Sequence, residues 1–244
     1  MPLRPDSPVQ ETSPAGSNSP PALKAALWDM DGTLVDTEPY WVEAEIDLVR
    51  SHGGHWDTEL ATQLVGSALE DSAAVLQEAG VQLSIREIVD HLSNRVIDAV
   101  RREIPWRPGA PELLAELHGR GVRCVLVTMS EHALATEVVK ALAEPYFEFL
   151  ITGDQVLNGK PHPEPYLKAV ERLRTSDSSL TVAHCVALED SIPGVASAMA
   201  AGVATIAIPH FVALASAPGQ TTWTTLAGKN YDDVAALLSV EARL

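Results

Sequence analysis

The stretch WDMDGTLVDTEPYW, residues 28–41, follows the apolar run Leu23–Trp28 and turns it abruptly into paired charge at Asp29 and Asp31. Gly32 comes next, where a backbone leaving a strand can turn sharply. Alternation along a strand would aim Asp29 and Asp31 the same way until the turn diverts one of them. Two carboxylates so placed repel each other unless a cation joins them or a pKa rises. Taken alone, the motif is equally an aspartate ahead of a solvated Asp-Gly turn.

Three later segments repeat the plan of an apolar run ending in polar residues: RCVLVTMS (123–130), VAHCVALEDS (182–191) and VATIAIPH (203–210). Helical patterns separate them at PELLAELHGRG (111–121), EHALATEVVKALA (131–143), PEPYLKAVERL (163–173) and IPGVASAMAAG (192–202). Strands alternating with helices predict an α/β fold with a parallel sheet covered on both faces. Ligands of such sheets bind beyond the carboxyl ends of the strands, so the polar tips should share one crevice.

Residues 37–105 contain no convincing strand, only helical patterns near 38–53, 57–66, 69–80 and 84–104. That interval is too long for an ordinary strand-to-helix connection. It predicts an α-helical insert above the crevice, acting as a lid, with residues 22–36 and 106–244 forming the core. Pro105, Pro108 and Pro111 mark its return to the core. The Pro- and Ser-rich residues 1–21 read as a disordered tail. Near the other end, an edge strand is expected at Trp223–Leu226 and a last helix at 231–239.

A formal net charge of -16 disfavours nucleic acid and anionic membranes as partners. No apolar run is long enough to span a bilayer, and no secretory leader is recognisable. Cys124 and Cys185 form no metal or disulfide pattern, which points to a cytoplasmic protein. No pattern marks an oligomer, and a monomer is the expectation.

The strand ends carry the chemistry. Asp29, the Asp31 backbone carbonyl and Asp190 would make an all-oxygen site suited to Mg²⁺, with Glu189 and Ser191 behind it. Ser191 also suits the N-cap of the following helix, as Ser130 suits that of its own. Thr128, Met129 at the next helix start, and Lys160 in NGKPHPEPY would hold an anionic phosphate. Lys160 by itself reads equally as a surface cation. Asp29 is the expected nucleophile on phosphorus, and Asp31 the acid that protonates the leaving alcohol and then activates water.

In order, DMDGT (29–33), VTMS (127–130), GKP (159–161) and LEDS (188–191) resemble the motifs of the haloacid dehalogenase superfamily. DTEPYW and the helical insert resemble the subgroup of β-phosphoglucomutase, sugar-phosphate phosphatases and phosphoglycolate phosphatase. The resemblance implies a Rossmann-like core, a helical cap, Mg²⁺ and an aspartyl-phosphate intermediate. Trp41 stands where β-phosphoglucomutase has a histidine, and Leu69 where it has an arginine. The expected activity is therefore hydrolysis of a small phosphorylated metabolite, a sugar phosphate first. A mutase, a phosphoglycolate phosphatase, a metal-free haloacid dehalogenase and a non-enzymatic binding protein are the alternatives. Glu38, Trp41, Gly66, Ser67 and Leu69 are the expected substrate-pocket residues, with Trp41 either stacking on a sugar or packing in the helical core.

Overall fold

The computed structural model describes residues 22–215 and 219–239. The expected tail at residues 1–21 lies outside them. Six parallel strands form the sheet: β1 (Ala25–Trp28), β2 (Arg123–Val127), β3 (Phe147–Ile151), β4 (Cys185–Glu189), β5 (Ala204–Ala207) and β6 (Gln220–Thr222). Their order across the sheet is β3-β2-β1-β4-β5-β6. β1 is central, and all four of its residues are buried. To one side the order runs β2, β3; to the other it runs β4 to β6. The direction of winding thus reverses at β1, which places the crevice at its carboxyl end.

Between β1 and β2 the chain forms α1 (Glu38–Ser51), α2 (Thr58–Thr62), α3 (Leu69–Glu78) and α4 (Ile85–Arg102). The remaining helices are α5 (Ala110–Gly119), α6 (His132–Lys140), α7 (Glu164–Arg174), α8 (Ile192–Ala200) and α9 (Tyr231–Ala235). Helix α4 is the most clearly specified of the insert. Ser84 and Glu87 cap it reciprocally, arginines occupy its last turn, and Ile88, Leu92, Val96 and Val100 form a buried stripe. That stripe packs on α1 and α3, with Leu48, Leu76 and Trp56 in the same apolar cluster.

The two connections between insert and sheet run side by side. Asp36 N–H donates to the Pro105 carbonyl at 2.7 Å and Arg107 N–H to the Leu34 carbonyl at 3.0 Å. Helix α4 also meets α6, where Arg86 pairs with Glu131 and Arg101 Nε lies 3.0 Å from Glu137. Exposed pairs of this kind orient the insert more than they stabilise it.

Four expectations need correction. Strand β3 was not foreseen; its FEFLI alternates buried and exposed residues, but it follows a helical pattern with only a short break. The edge strand lies at Gln220–Thr222, and not at Trp223–Leu226; it pairs with β5 at Thr205–Ala207, and β5 ends there. Helix α2 ends at Thr62, well short of 66. Finally, Glu131, and not Ser130, occupies the N-cap of α6, because the helix starts at His132, one residue later than the pattern suggests.

Candidate active site

Parallel register brings the motifs together. Trp28 lies opposite Leu126 on β2 and Leu188 on β4, so the residues just beyond each strand meet at one level. Asp29 therefore neighbours Thr128 and the Glu189-Asp190 pair, although the chain separates them widely.

Lys160 enters this cluster from the loop before α7 and is only 4% exposed. Its ammonium donates to Asp29 Oδ1 at 2.6 Å and to the Val127 carbonyl at 2.9 Å, and lies 2.6 Å from Glu189 Oε1. Three acceptors match its three donors. Burial alone would drive off the Lys160 proton, but the Asp29 and Glu189 carboxylates outweigh it and raise the pKa. Tyr166 donates its hydroxyl to the same Glu189 oxygen.

Asp29, Glu189 and Asp190 each offer a carboxylate oxygen, all within 4.8 Å of one another, and all three residues are buried. One lysine cannot neutralise three carboxylates. Asp29 is accordingly pushed up to about 8, by burial first and then by Glu189, with Lys160 opposing. Asp190 is raised for the same reasons, burial and then Asp29 and Glu189. Asp29 Oδ2 is buried without a hydrogen-bond partner. An orphaned buried oxygen in an all-carboxylate cluster is what a hard divalent cation satisfies, so the residues present fit Mg²⁺. The turn is also close-fitting: Gly32 has φ +85°, and a Cβ there would fall 1.9 Å from Asp190 Oδ2.

The Asp31 carboxylate points away from this cluster. Its Oδ1 accepts from Thr37 Oγ1 and, at 3.2 Å, from Trp41 Nε1; its Oδ2 accepts from Ser130 Oγ at 2.7 Å and Thr128 Oγ1 at 3.3 Å. Only the Asp31 backbone could then serve a metal, while its side chain faces the pocket. Ser130 joins the site although its residue type and position read as a helix cap. Ser191 does cap α8, accepting from Gly194 N–H at 3.1 Å.

One pocket is lined by Asp29, Asp31, Thr128, Met129, Lys160 and Ser191 from the core. All five cap residues expected from the sequence, Glu38, Trp41, Gly66, Ser67 and Leu69, line it too. Trp41 is 8% exposed, so it packs into the insert while its ring nitrogen holds Asp31. Glu45 also lines the pocket, one turn along α1 from Trp41, and accepts from Trp56 Nε1 at 3.0 Å.

Burial holds Glu45 at about 7, against an ordinary 4.5, with the Trp56 hydrogen bond opposing. A carboxyl whose pKa is raised on folding contributes full stability below its unfolded pKa and loses it as pH rises through the folded one. Glu45→Gln keeps the acceptor for Trp56 and removes that loss. The variant is expected to match the parent at pH 4 and to exceed it above pH 7 by about 3 kcal/mol, at ~1.4 kcal/mol per pH unit. Denaturant titration at the two pH values reads this; equal stability at pH 8 would contradict it.

A six-stranded parallel sheet with an acidic cluster and a buried lysine at its central switch point, under a helical insert, defines a hydrolase with a Rossmann-like core and a helical cap. The chain belongs to the haloacid dehalogenase-like hydrolases, whose family model matches residues 23–202, and it is an enzyme with the cap domain of that superfamily. A phosphorylated carbohydrates phosphatase of Thermotoga maritima is 32% identical over 186 residues, covering 74% of this chain and 82% of that protein. Hexitol phosphatase B of Escherichia coli strain K12 is 29% identical over 203 residues, covering 79% and 86%. Among solved structures, a mutant CbbY from Rhodobacter sphaeroides, in complex with xylulose-1,5-bisphosphate, superposes with TM-score 0.76 at 25% identity, covering 87% of this chain and 99% of that one. No helix among the described residues is long and apolar enough to cross a membrane.

Proposed function

We propose that the protein is a Mg²⁺-dependent phosphatase that hydrolyses a small phosphorylated metabolite, a sugar or polyol phosphate, through an aspartyl phosphate on Asp29. The observation that carries this reading is the division of labour between two aspartates one residue apart. Asp29 is buried against Lys160 and the acidic cluster, and Asp31 is held in the pocket by four donors.

Asp29, Asp190 and the Asp31 backbone would hold the cation, with Glu189 fixed behind them by Lys160 and Tyr166. When bound, Mg²⁺ supplies the positive charge that lets an anionic carboxylate approach an anionic phosphoryl group. Asp29 attacks phosphorus, and the bond to the alcohol oxygen breaks. Asp31 hands that oxygen a proton, then takes one from the water that hydrolyses the acyl phosphate. Thr128 and the Met129 backbone meet the transferring oxygens, and the Lys160 ammonium, held by its three acceptors, adds positive charge positioned in advance. Thr37 and Trp41 belong to the insert side, so closing the cap, residues 37–105, sets Asp31 in place.

Hydrolysis is favoured over phosphomutase chemistry because Trp41 and Leu69 line the pocket where histidine and arginine would serve a bisphosphate. The 32% identity to a phosphorylated carbohydrates phosphatase supports the same choice. The test is turnover of p-nitrophenyl phosphate and of a chiral phosphate ester, with and without Mg²⁺. Metal-dependent release with retention of configuration at phosphorus is expected, from two successive displacements. Inversion, or release undiminished by chelator, would overturn the mechanism.

A further inference from the structure

Beyond Asp31 the pocket continues into the insert between Trp41, Leu64, Val65 and Leu69, and there it meets two carboxylates, Glu38 and Glu45. They are 7% and 6% exposed. Glu45 has one oxygen fixed by Trp56 Nε1. Among the described residues, no hydrogen-bond donor reaches its other oxygen or either oxygen of Glu38. These oxygens open onto the pocket, where an occupant can bring the donors that the protein itself does not supply.

The insert lends this half of the pocket no positive charge. Among the described lining residues Lys160 is the sole base, and Asp29, Glu189 and the Val127 carbonyl already share its ammonium. A ligand rich in hydroxyls would satisfy Glu38 and Glu45 whether they are ionised or protonated, since a carboxyl group accepts from a hydroxyl in either state. A second phosphate or a carboxylate would bring further acceptors to a wall that offers two carboxyl groups and, among the described residues, no base to pair with them.

We infer that Glu38 and Glu45 form a hydroxyl-accepting subsite that selects phosphomonoesters with an uncharged polyol or sugar remainder and rejects bisphosphates and phosphorylated acids. The inference rests on the phosphatase reading for the phosphate end alone. It makes the two glutamates specificity-determining residues, acting on the remainder of the substrate. It also distinguishes this pocket from one built for a bisphosphate, such as the ligand of the CbbY structure.

Four probes share one carbon skeleton length: glucitol 6-phosphate, 6-phosphogluconate, fructose 1,6-bisphosphate and glucosamine 6-phosphate. The wild-type enzyme should favour glucitol 6-phosphate over the acid and the bisphosphate by at least about 100-fold in kcat/KM, most of it in KM, the scale set by unpaired buried groups. Glu38→Gln and Glu45→Gln should narrow that ratio, gaining on the acid while losing on the polyol. Wild-type values within about threefold of one another, or a ratio unmoved by both substitutions, would overturn the inference. A preference of more than about tenfold for glucosamine 6-phosphate would make the subsite an ammonium site and overturn the hydroxyl assignment. Binding to the Asp29→Asn protein, read by calorimetry, separates the two readings. With no turnover of any ester, the same order of binding supports the subsite while the phosphatase reading fails; equal binding of acid and polyol overturns the subsite.

Discussion

Asp29→Asn is expected to lower phosphate-ester hydrolysis by at least about 10⁴-fold, the scale on which enzymes lose turnover when a nucleophile is removed. The amide cannot form the acyl phosphate, yet it keeps an oxygen for Lys160 at the position that now lies 2.6 Å away. Stability should move the other way. Asp29 has a pKa raised to about 8 by burial and Glu189, so its contribution is complete below the ordinary value of 3.8 and lost as pH rises through 8. Asparagine does not titrate, and the metal-free variant should melt at or above the parent temperature at pH 8. A variant that retains a tenth of the activity would remove Asp29 from the nucleophile's role. One that melts well below the parent would show that the lost activity reflects folding.

Lys160→Met carries the second large effect. The methionine stem replaces the aliphatic part of the lysine, but Asp29 and Glu189 then stay buried with no cation between them. Breaking a buried pair by removing one partner costs about 3–5 kcal/mol, far more than the loss of an exposed pair. The deficit should narrow toward pH 5, because Asp29, held at about 8, is already protonated there in the parent and has no ion pair with the lysine to lose. Denaturant midpoints at pH 5 and pH 8 test both parts. A loss below about 1 kcal/mol at pH 8 would mean that the cluster relaxes or hydrates when the lysine leaves.

The same two residues show how much of the site is legible along the chain. Asp29 stands out locally, because an apolar strand that ends in Asp-Met-Asp-Gly is unusual under any reading. Lys160 is a single loop cation 131 positions away, and nothing adjacent to it says that it will be 4% exposed and shared between two carboxylates. The order of the motifs pointed to it, but its burial follows from the packing of the loop before α7 onto β1, β2 and β4. Ser130 shows the converse. Its type and place near a helix start favour a cap, but α6 begins one residue too late for it, and the hydroxyl donates instead to the Asp31 carboxylate across the crevice. Glu45 falls four positions after Trp41 and so shares its helix face, but that spacing does not mark a pocket wall, since either a helix pair or a ligand could use the face.

By itself, the sequence determined the parallel α/β core, the helical insert after the first strand, and the acidic residues at the strand ends. Those signals are local: residue period, turn residues, and the break from apolar to charged. Strand β3 escaped because it follows a helical pattern after only a short break, and the position of β6 because three residues are too few to show a period. Only the tertiary structure decided that the Asp31 side chain leaves the metal-binding cluster for Thr37, Trp41, Thr128 and Ser130, and that Glu38 and Glu45 enter the pocket without a cation to meet them. These outcomes depend on strand register and on how the insert lies against the sheet, where a hydrogen bond or an orphaned carboxylate is settled by segments far apart in the chain.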